Sequence, residues 1–243
     1  MIILAADIEQ FTDALYDKAY GLVPAYRRKK TDKMKMPADK KRSIAAGIIL
    51  NRALKMFDSA TDTTKTADEI EYTELKSAVY QYEQKYDYNV EISEKGKPYF
   101  TDYPQIHYNI AHSGQYAVCV VSDHNVGIDI EGLRKSKDAI GIAKHFFSPD
   151  ECSWLNIADS GSVYSVKNLS EEEFHSRFLR LWTLKEAYAK VTGDGISKGM
   201  SKGKFIYKDN RLQFEDESLN LMYDIKEYTL GKNKMRMAVI TEN

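Results

Sequence analysis

YAVCVVSDHNVGIDIE, residues 116–131, carries the pattern that decides the fold. Tyr116 to Val121 is an unbroken apolar run. Val126 to Glu131 alternates, with Val126, Ile128 and Ile130 on one face and Gly127, Asp129 and Glu131 on the other. Short runs rich in β-branched residues, separated by the polar Ser122-Asp123-His124-Asn125, read as two strands joined by a hairpin turn. His107 to Ile110 reads as a third strand. Further along, a strong helical pattern spans about Glu171 to Val191 and stops near Gly193 and Gly195, where glycine supplies a left-handed stop. KFIYKDNRLQFED and KMRMAVIT, with a turn at Asp209-Asn210, then alternate as an antiparallel sheet would. Strands and helices in this order predict an α+β fold.

The flanks fit the same class. MIILAADIEQ at the start reads as a strand, since it lacks the basic start and small-residue cleavage pattern of a signal peptide. Ser43 to Phe57 reads as a largely buried helix entered from a basic segment, and residues 58–65 as a polar loop. Thr66 and Glu69 have capping-box spacing, followed by Tyr72, Leu75, Val79, Tyr82 and Tyr86 at helical spacing. Gly96-Lys97-Pro98 signals a turn into a short extended piece. Residues 136–147 read as a helix. Another starts at Ser148-Pro149-Asp150-Glu151, with a serine cap, proline at its first position and glutamate three after the cap. Residues 157–170 read as a surface loop.

The chemistry sits on the predicted strand and the predicted long helix. Asp129 and Glu131, two residues apart on one strand face, lie about 6.6 Å apart along the chain and can converge on one cation. Hard oxygen donors of this kind suit Mg²⁺ shared with substrate phosphates; an amphipathic strand with its acids in water has the same pattern. In the helix, Leu181, Leu184, Tyr188 and Val191 form an apolar stripe, and Glu186 and Lys190 point away from it. A surface Glu–Lys pair explains that spacing equally well. Trp182, one turn before Glu186 on much the same side, argues for a face covered by another part of the protein.

Composition limits the alternatives. The chain has 243 residues, 43% hydrophobic, with a net charge of -1, enough for one large domain or two small ones. It has no apolar run long enough to span a membrane. Two cysteines, Cys119 and Cys152, read as reduced structural thiols of a cytoplasmic protein, and no Cys/His spacing suits zinc. The near-zero net charge hides a segment of +7 from Arg27 to Arg42, leaving -8 elsewhere, which points to an anionic partner. Nucleic acid is disfavoured as that partner: only Tyr26 supplies an aromatic beside the segment, and no groove-reading motif accompanies it.

Taken in order, these pieces resemble one family. Gly127-Ile128-Asp129-Ile130-Glu131, then Trp182-Thr183-Leu184-Lys185-Glu186-Ala187-Tyr188-Ala189-Lys190, then Gly193, Gly195 and Ile196, are similar to the motifs of the 4′-phosphopantetheinyl transferases. Upstream, Arg27 to Arg42 before Ser43, Gly96-Lys97-Pro98 and Asn109-Ile110-Ala111-His112-Ser113 match in the same order. The length resembles the monomeric surfactin-synthetase type. Each motif is weak alone; the ordered set, over roughly residues 20–200, is specific.

The resemblance implies two similar α+β halves related by a pseudo-twofold axis, residues 1–124 and 125–243, with the active site in the cleft between them. It implies a reaction: phosphopantetheine moves from coenzyme A to a serine of an apo carrier protein (acyl, peptidyl or aryl), and adenosine 3′,5′-bisphosphate is released. By position, Asp129, Glu131 and Glu186 are the implied ligands of Mg²⁺ or Mn²⁺. Arg27, Lys30 and Arg42 are implied binders of the 3′-phosphate, with Ser43, Lys97 and Pro98 near the adenosine end. Ala111, His112 and Lys190 are implied at the pyrophosphate. Ala111 departs from the serine common at its position, so a backbone N–H would have to replace that hydroxyl. Glu186 and Lys190 are the implied catalytic residues, with Glu186 the base directly or through a metal-bound water. Glu151 is left out, because the capping box accounts for it. Two other readings use the same residues: a Mg²⁺-dependent nucleotide diphosphate hydrolase, which would consume coenzyme A without a carrier, and a non-catalytic protein that binds coenzyme A or a carrier.

Overall fold

The computed structural model describes residues 1–59, 69–132, 138–159, 164–208, 211–216, 222–232 and 235–243. The chain divides into two compact units, Met1–Ile128 and Asp129–Asn243. Both are mixtures of helices and antiparallel strands, so the α+β class holds.

In the first unit the elements are β1 (Ile2–Asp7), α1 (Asp13–Leu22), α2 (Ala25–Asp32), α3 (Pro37–Ser59), β2 (Glu71–Tyr72), α4 (Leu75–Tyr80), β3 (Val90–Ile92), β4 (Pro98–Phe100), β5 (His107–Ser113) and β6 (Tyr116–Ser122). The sheet order is β2-β1-β6-β5. β6 is antiparallel to β1, from Ile2 opposite Val121 to Asp7 opposite Tyr116, and antiparallel to β5. Every residue of β6 is buried, as its unbroken apolar run requires. α3 lies against this sheet and buries Ile44, Ile48, Ile49 and Leu54. Its small residues Ala45, Ala46 and Gly47 let neighbours approach closely: a Cβ on Gly47 would stand 3.0 Å from Val23 Cγ1.

β7 (Val126–Gly132) carries the division between the units. The second unit continues with α5 (Ala139–Phe146), α6 (Pro149–Trp154), β8 (Ile157–Asp159), β9 (Tyr164–Val166), α7 (Glu171–Thr192), α8 (Gly195–Lys202), β10 (Gly203–Lys208), β11 (Arg211–Asp216), β12 (Tyr223–Leu230) and β13 (Met235–Glu242). β7 joins a sheet of order β12-β13-β7, and β10 pairs with β11. The predicted hairpin between β6 and β7 is therefore wrong. β6 already has β1 and β5 on its two edges, so β7 has no edge to pair with there.

Other expectations fared variably. The helix predicted from Ser43 starts six residues earlier, at Pro37, and the basic segment before it is itself helical as α2. The helix expected through Tyr72, Val79 and Tyr86 shrinks to α4. Tyr72 lies in β2, drawn into parallel pairing beside Ala5, and Tyr86 ends a 3₁₀ turn. Thr66 lies outside the described residues, as does the Asp209-Asn210 turn. The loop expected at 157–170 contains the antiparallel pair β8–β9, which Ile157 and Val166 favour as β-branched residues. The capping box at Ser148 and Glu151 is present, and Gly193 ends α7 in the left-handed conformation at φ 68°. Cys119 and Cys152 are buried free thiols.

The helix α8 was not anticipated. It packs on α7 through Gly199, where an added Cβ would come within 2.7 Å of Ala189 Cβ and 2.8 Å of Ala189 Cα. Backbone cannot give way there. Gly199→Ala is expected to lower stability by about 1–3 kcal/mol despite alanine's better helix propensity, read as a lower urea midpoint at unchanged slope.

Candidate functional site

From Leu181 to Val191, α7 is buried at every residue except Trp182, Glu186 and Lys190. These three are four residues apart and so form one stripe along the helix. Trp182 packs on Phe146 of α5, ring centroids 6.0 Å apart, and stacks with Phe178. Part of the cover that Trp182 called for thus comes from its own unit. The apolar stripe Leu181, Leu184, Tyr188 and Val191 is fully buried, as the spacing predicts.

The polar end of the stripe faces β7. Lys190 Nζ donates to Asp129 Oδ1 at 2.7 Å. Asp129 is 5% exposed, and its Oδ2 is buried without a hydrogen-bond partner among the described residues. A buried carboxylate oxygen left unpaired is costly, and a cation removes that cost. Glu186 is half-buried. Burial pushes its carboxyl up to about 7; Asp129 adds to the rise, Lys190 opposes it and Glu131 adds a little more. Asp129, Glu131, Glu186 and Lys190 are thus brought together. Fully ionised, three carboxylates against one ammonium leave a surplus of two negative charges. An all-oxygen donor set with that surplus fits a divalent cation such as Mg²⁺. Among the described residues no three acidic, histidine or cysteine side chains form a ready-made ligand cage.

In the first unit, Arg27 and Lys30 stand one turn apart on α2. Arg27 is 6% exposed, and its Nε is buried without a hydrogen-bond partner among the described residues. Burial draws the Lys30 ammonium below its ordinary pKa, and the neighbouring Arg27 draws it further. Thr31 bonds both ways, donating to the Arg27 carbonyl at 2.9 Å and sharing a 2.7 Å hydroxyl contact with Ser43. Arg42 pairs with Asp39 and donates to the Gly114 carbonyl at 2.5 Å. That bond holds the start of α3 beside the turn that follows His112. Ala111 is buried on β5 opposite Val118, and His112 is exposed opposite Ala117. Lys97, just before Pro98 at the start of β4, donates from Nζ to Asn125 Oδ1 and the Val126 carbonyl, holding the connection into β7.

Sequence reasoning gave no role to Thr31, Asn109 or Lys185 and set Glu151 aside. Thr31 links Arg27 to Ser43. Asn109, buried on β5, accepts the Ile128 N–H at 3.2 Å, one residue before Asp129. Lys185 is buried completely and paired with Glu151, which the capping box had seemed to explain in full. A lysine inside the most apolar part of a predicted helix was the available signal for that pair. Asn109 and Thr31 gave none, because their partners are distant in sequence or are backbone atoms.

Residues 125–230 match the family model of the 4′-phosphopantetheinyl transferase superfamily. A 4′-phosphopantetheinyl transferase of Bacillus subtilis is 36% identical over 119 residues, 49% of this chain and 47% of that protein. The 4′-phosphopantetheinyl transferase gsp of Aneurinibacillus migulanus is 42% identical over 104 residues, 43% of this chain and 38% of that protein. The 4′-phosphopantetheinyl transferase Sfp of Bacillus subtilis strain 168 is 37% identical over 164 residues, 67% of this chain and 66% of that protein. The chain thus spans less than half the length of the first two relatives and about two thirds of the third.

Proposed function

The chain belongs to the 4′-phosphopantetheinyl transferase superfamily, and from that premise we propose that it transfers the 4′-phosphopantetheine group of coenzyme A to a serine hydroxyl of an apo acyl or peptidyl carrier protein. The cluster of Asp129, Glu131, Glu186 and Lys190 carries this reading. Asp129, Glu131 and Glu186 would hold Mg²⁺ or Mn²⁺, which supplies positive charge to the diphosphate oxygens when bound. Lys190 adds a cation from the protein as charge builds on those oxygens in the transition state. The serine Oγ forms a bond to the β-phosphorus of coenzyme A. The bond from that phosphorus to the bridging oxygen breaks, and its electron pair leaves with adenosine 3′,5′-bisphosphate. The hydroxyl proton would pass to Glu186, which a bound cation would hold ionised and so ready to accept it, directly or through a water.

Arg27, Lys30 and Arg42 take the 3′-phosphate end, with Ser43, Lys97 and Pro98 toward the adenosine. Ala111 offers its backbone and His112 its ring to the pyrophosphate. The unspent Nε donor of Arg27 supports the first assignment. Arg27→Ala is expected to raise KM for coenzyme A roughly tenfold or more and to change KM for 3′-dephospho-coenzyme A little. Equal losses on both substrates would move Arg27 away from the 3′-phosphate. We place the protein in the cytoplasm as a monomer, without nucleic acid. No described helix is long and apolar enough to cross a membrane.

The deciding experiment incubates the purified protein with coenzyme A, MgCl₂ and a panel of apo carriers. Intact-mass measurement should show carriers heavier by one phosphopantetheine. No transfer to any carrier, where a control transferase succeeds, would overturn the function. Consumption of coenzyme A without a carrier would favour the hydrolase reading.

A further inference from the structure

Lys185 precedes Glu186 in the sequence but faces the interior of the second unit. Its side chain and that of Glu151 are both 0% exposed, with Nζ 2.9 Å from Glu151 Oε2. Nζ also donates to the Met200 carbonyl at 2.7 Å and the Gly203 carbonyl at 2.9 Å, so all three ammonium protons have acceptors. Glu151 is equally engaged. Its Oε2 accepts the Ser148 N–H at 2.6 Å and its Oε1 the Phe205 N–H at 2.8 Å. One ion pair therefore ties together α6, α7, the end of α8 and the start of β10.

Stability alone is a poor reason for such a pair, because apolar residues of similar volume often do as well or better. The apolar stripe sets which side of α7 faces inward, but non-directional packing fixes the fine rotation and axial position less sharply than directed bonds do. With eight of the eleven residues from Leu181 to Val191 buried, small turns and slides about that orientation would bury similar apolar area. Lys185 finds its three acceptors in only one of them. A buried polar group that selects one register is the best-attested use of such groups. We propose that the Lys185–Glu151 pair is a register lock: it fixes the rotation and axial position of α7 so that Glu186 and Lys190 face Asp129. Both members are positioning residues, and their importance for catalysis rests on the transferase reading of that site.

The test uses the full chain and separates register from stability. Lys185→Met alone strands the Glu151 charge and should lower Tm by roughly 10 °C. Lys185→Met with Glu151→Gln removes both charges and should recover Tm to within about 3 °C of wild type. In that double variant kcat should remain at least about tenfold down, and the Tm shift caused by MgCl₂ with coenzyme A should shrink to less than about half. In a Trp154→Phe background, emission from Trp182 should shift to the red as α7 turns. Recovered Tm with wild-type kcat, Mg²⁺ response and Trp182 emission would overturn the lock. Should the double variant not fold, Glu151→Gln alone decides: changed kcat and Trp182 emission support the lock, and unchanged values overturn it. A wild type with neither transfer nor Mg²⁺ response would sink the transferase reading, while the Trp182 signal would still judge the lock.

Discussion

Glu186→Gln is expected to lower carrier modification by at least about a thousandfold while making the metal-free protein more stable near pH 7.5. Both effects have one origin. Burial, Asp129 and Glu131 together raise the Glu186 carboxyl to about 7, above its value in an unfolded chain near 4.3. The folded state therefore binds more protons than the unfolded state between about pH 4.5 and 7, and linkage makes stability fall as pH rises through that window. A full conversion of the shift would approach about 3.5 kcal/mol, but solvent reaches part of this half-buried group, so about 1–2 kcal/mol is expected. Glutamine keeps the shape and removes the titration. Thermal melts of both proteins in EDTA from pH 5 to pH 8 check this: the wild type should lose stability across the window and the variant should stay flat. Parallel curves would mean that Glu186 titrates as an ordinary exposed carboxylate. Near wild-type transfer by the glutamine variant would remove Glu186 from the site.

Lys190→Ala separates charge balance from catalysis. In the wild type, Lys190 Nζ donates to Asp129 Oδ1, while Oδ2 has no hydrogen-bond partner among the described residues. Removing the ammonium leaves a 5% exposed carboxylate without that compensation, which should cost about 2–4 kcal/mol in EDTA. A divalent cation neutralises the same carboxylates, so added MgCl₂ should restore most of the lost Tm. Transfer should stay about a hundredfold or more down even at saturating Mg²⁺, because the cation proposed to act on the pyrophosphate is missing. Recovery of activity together with Tm would reduce Lys190 to a charge-balancing partner of Asp129. Failure of Mg²⁺ to raise Tm would argue against Asp129 as a ligand.

Much of this site was legible in the residue order, because its logic is local. Strand alternation placed Asp129 and Glu131 on one face, and helical phase placed Glu186 and Lys190 on the side of Trp182. In the structure Trp182, Glu186 and Lys190 are the only incompletely buried residues between Leu181 and Val191. The capping box at Ser148, the left-handed stop at Gly193 and the buried β6 were equally local and equally readable. Local signals failed where pairing partners mattered. Ser122 to Asn125 looks like a hairpin turn, yet whether β6 accepts β7 depends on β1, more than a hundred residues earlier, already holding that edge. Tyr72 fits a helical spacing but is claimed by pairing beside Ala5.

The sequence by itself determined the α+β class, the family resemblance and the identity and facing of the acidic residues, since each follows from periodicity or from ordered short motifs. Only the tertiary structure decided three things. It gave Asp129 an oxygen that Lys190 engages and another that nothing among the described residues engages. It gave Glu186 a surrounding of burial and like charge that makes its proton labile near neutral pH. It also showed that the lysine beside Glu186 is anchored to Glu151 and to the carbonyls of Met200 and Gly203. Each depends on desolvation and on groups far apart in the chain, and none of the three can be read from a residue's neighbours in sequence.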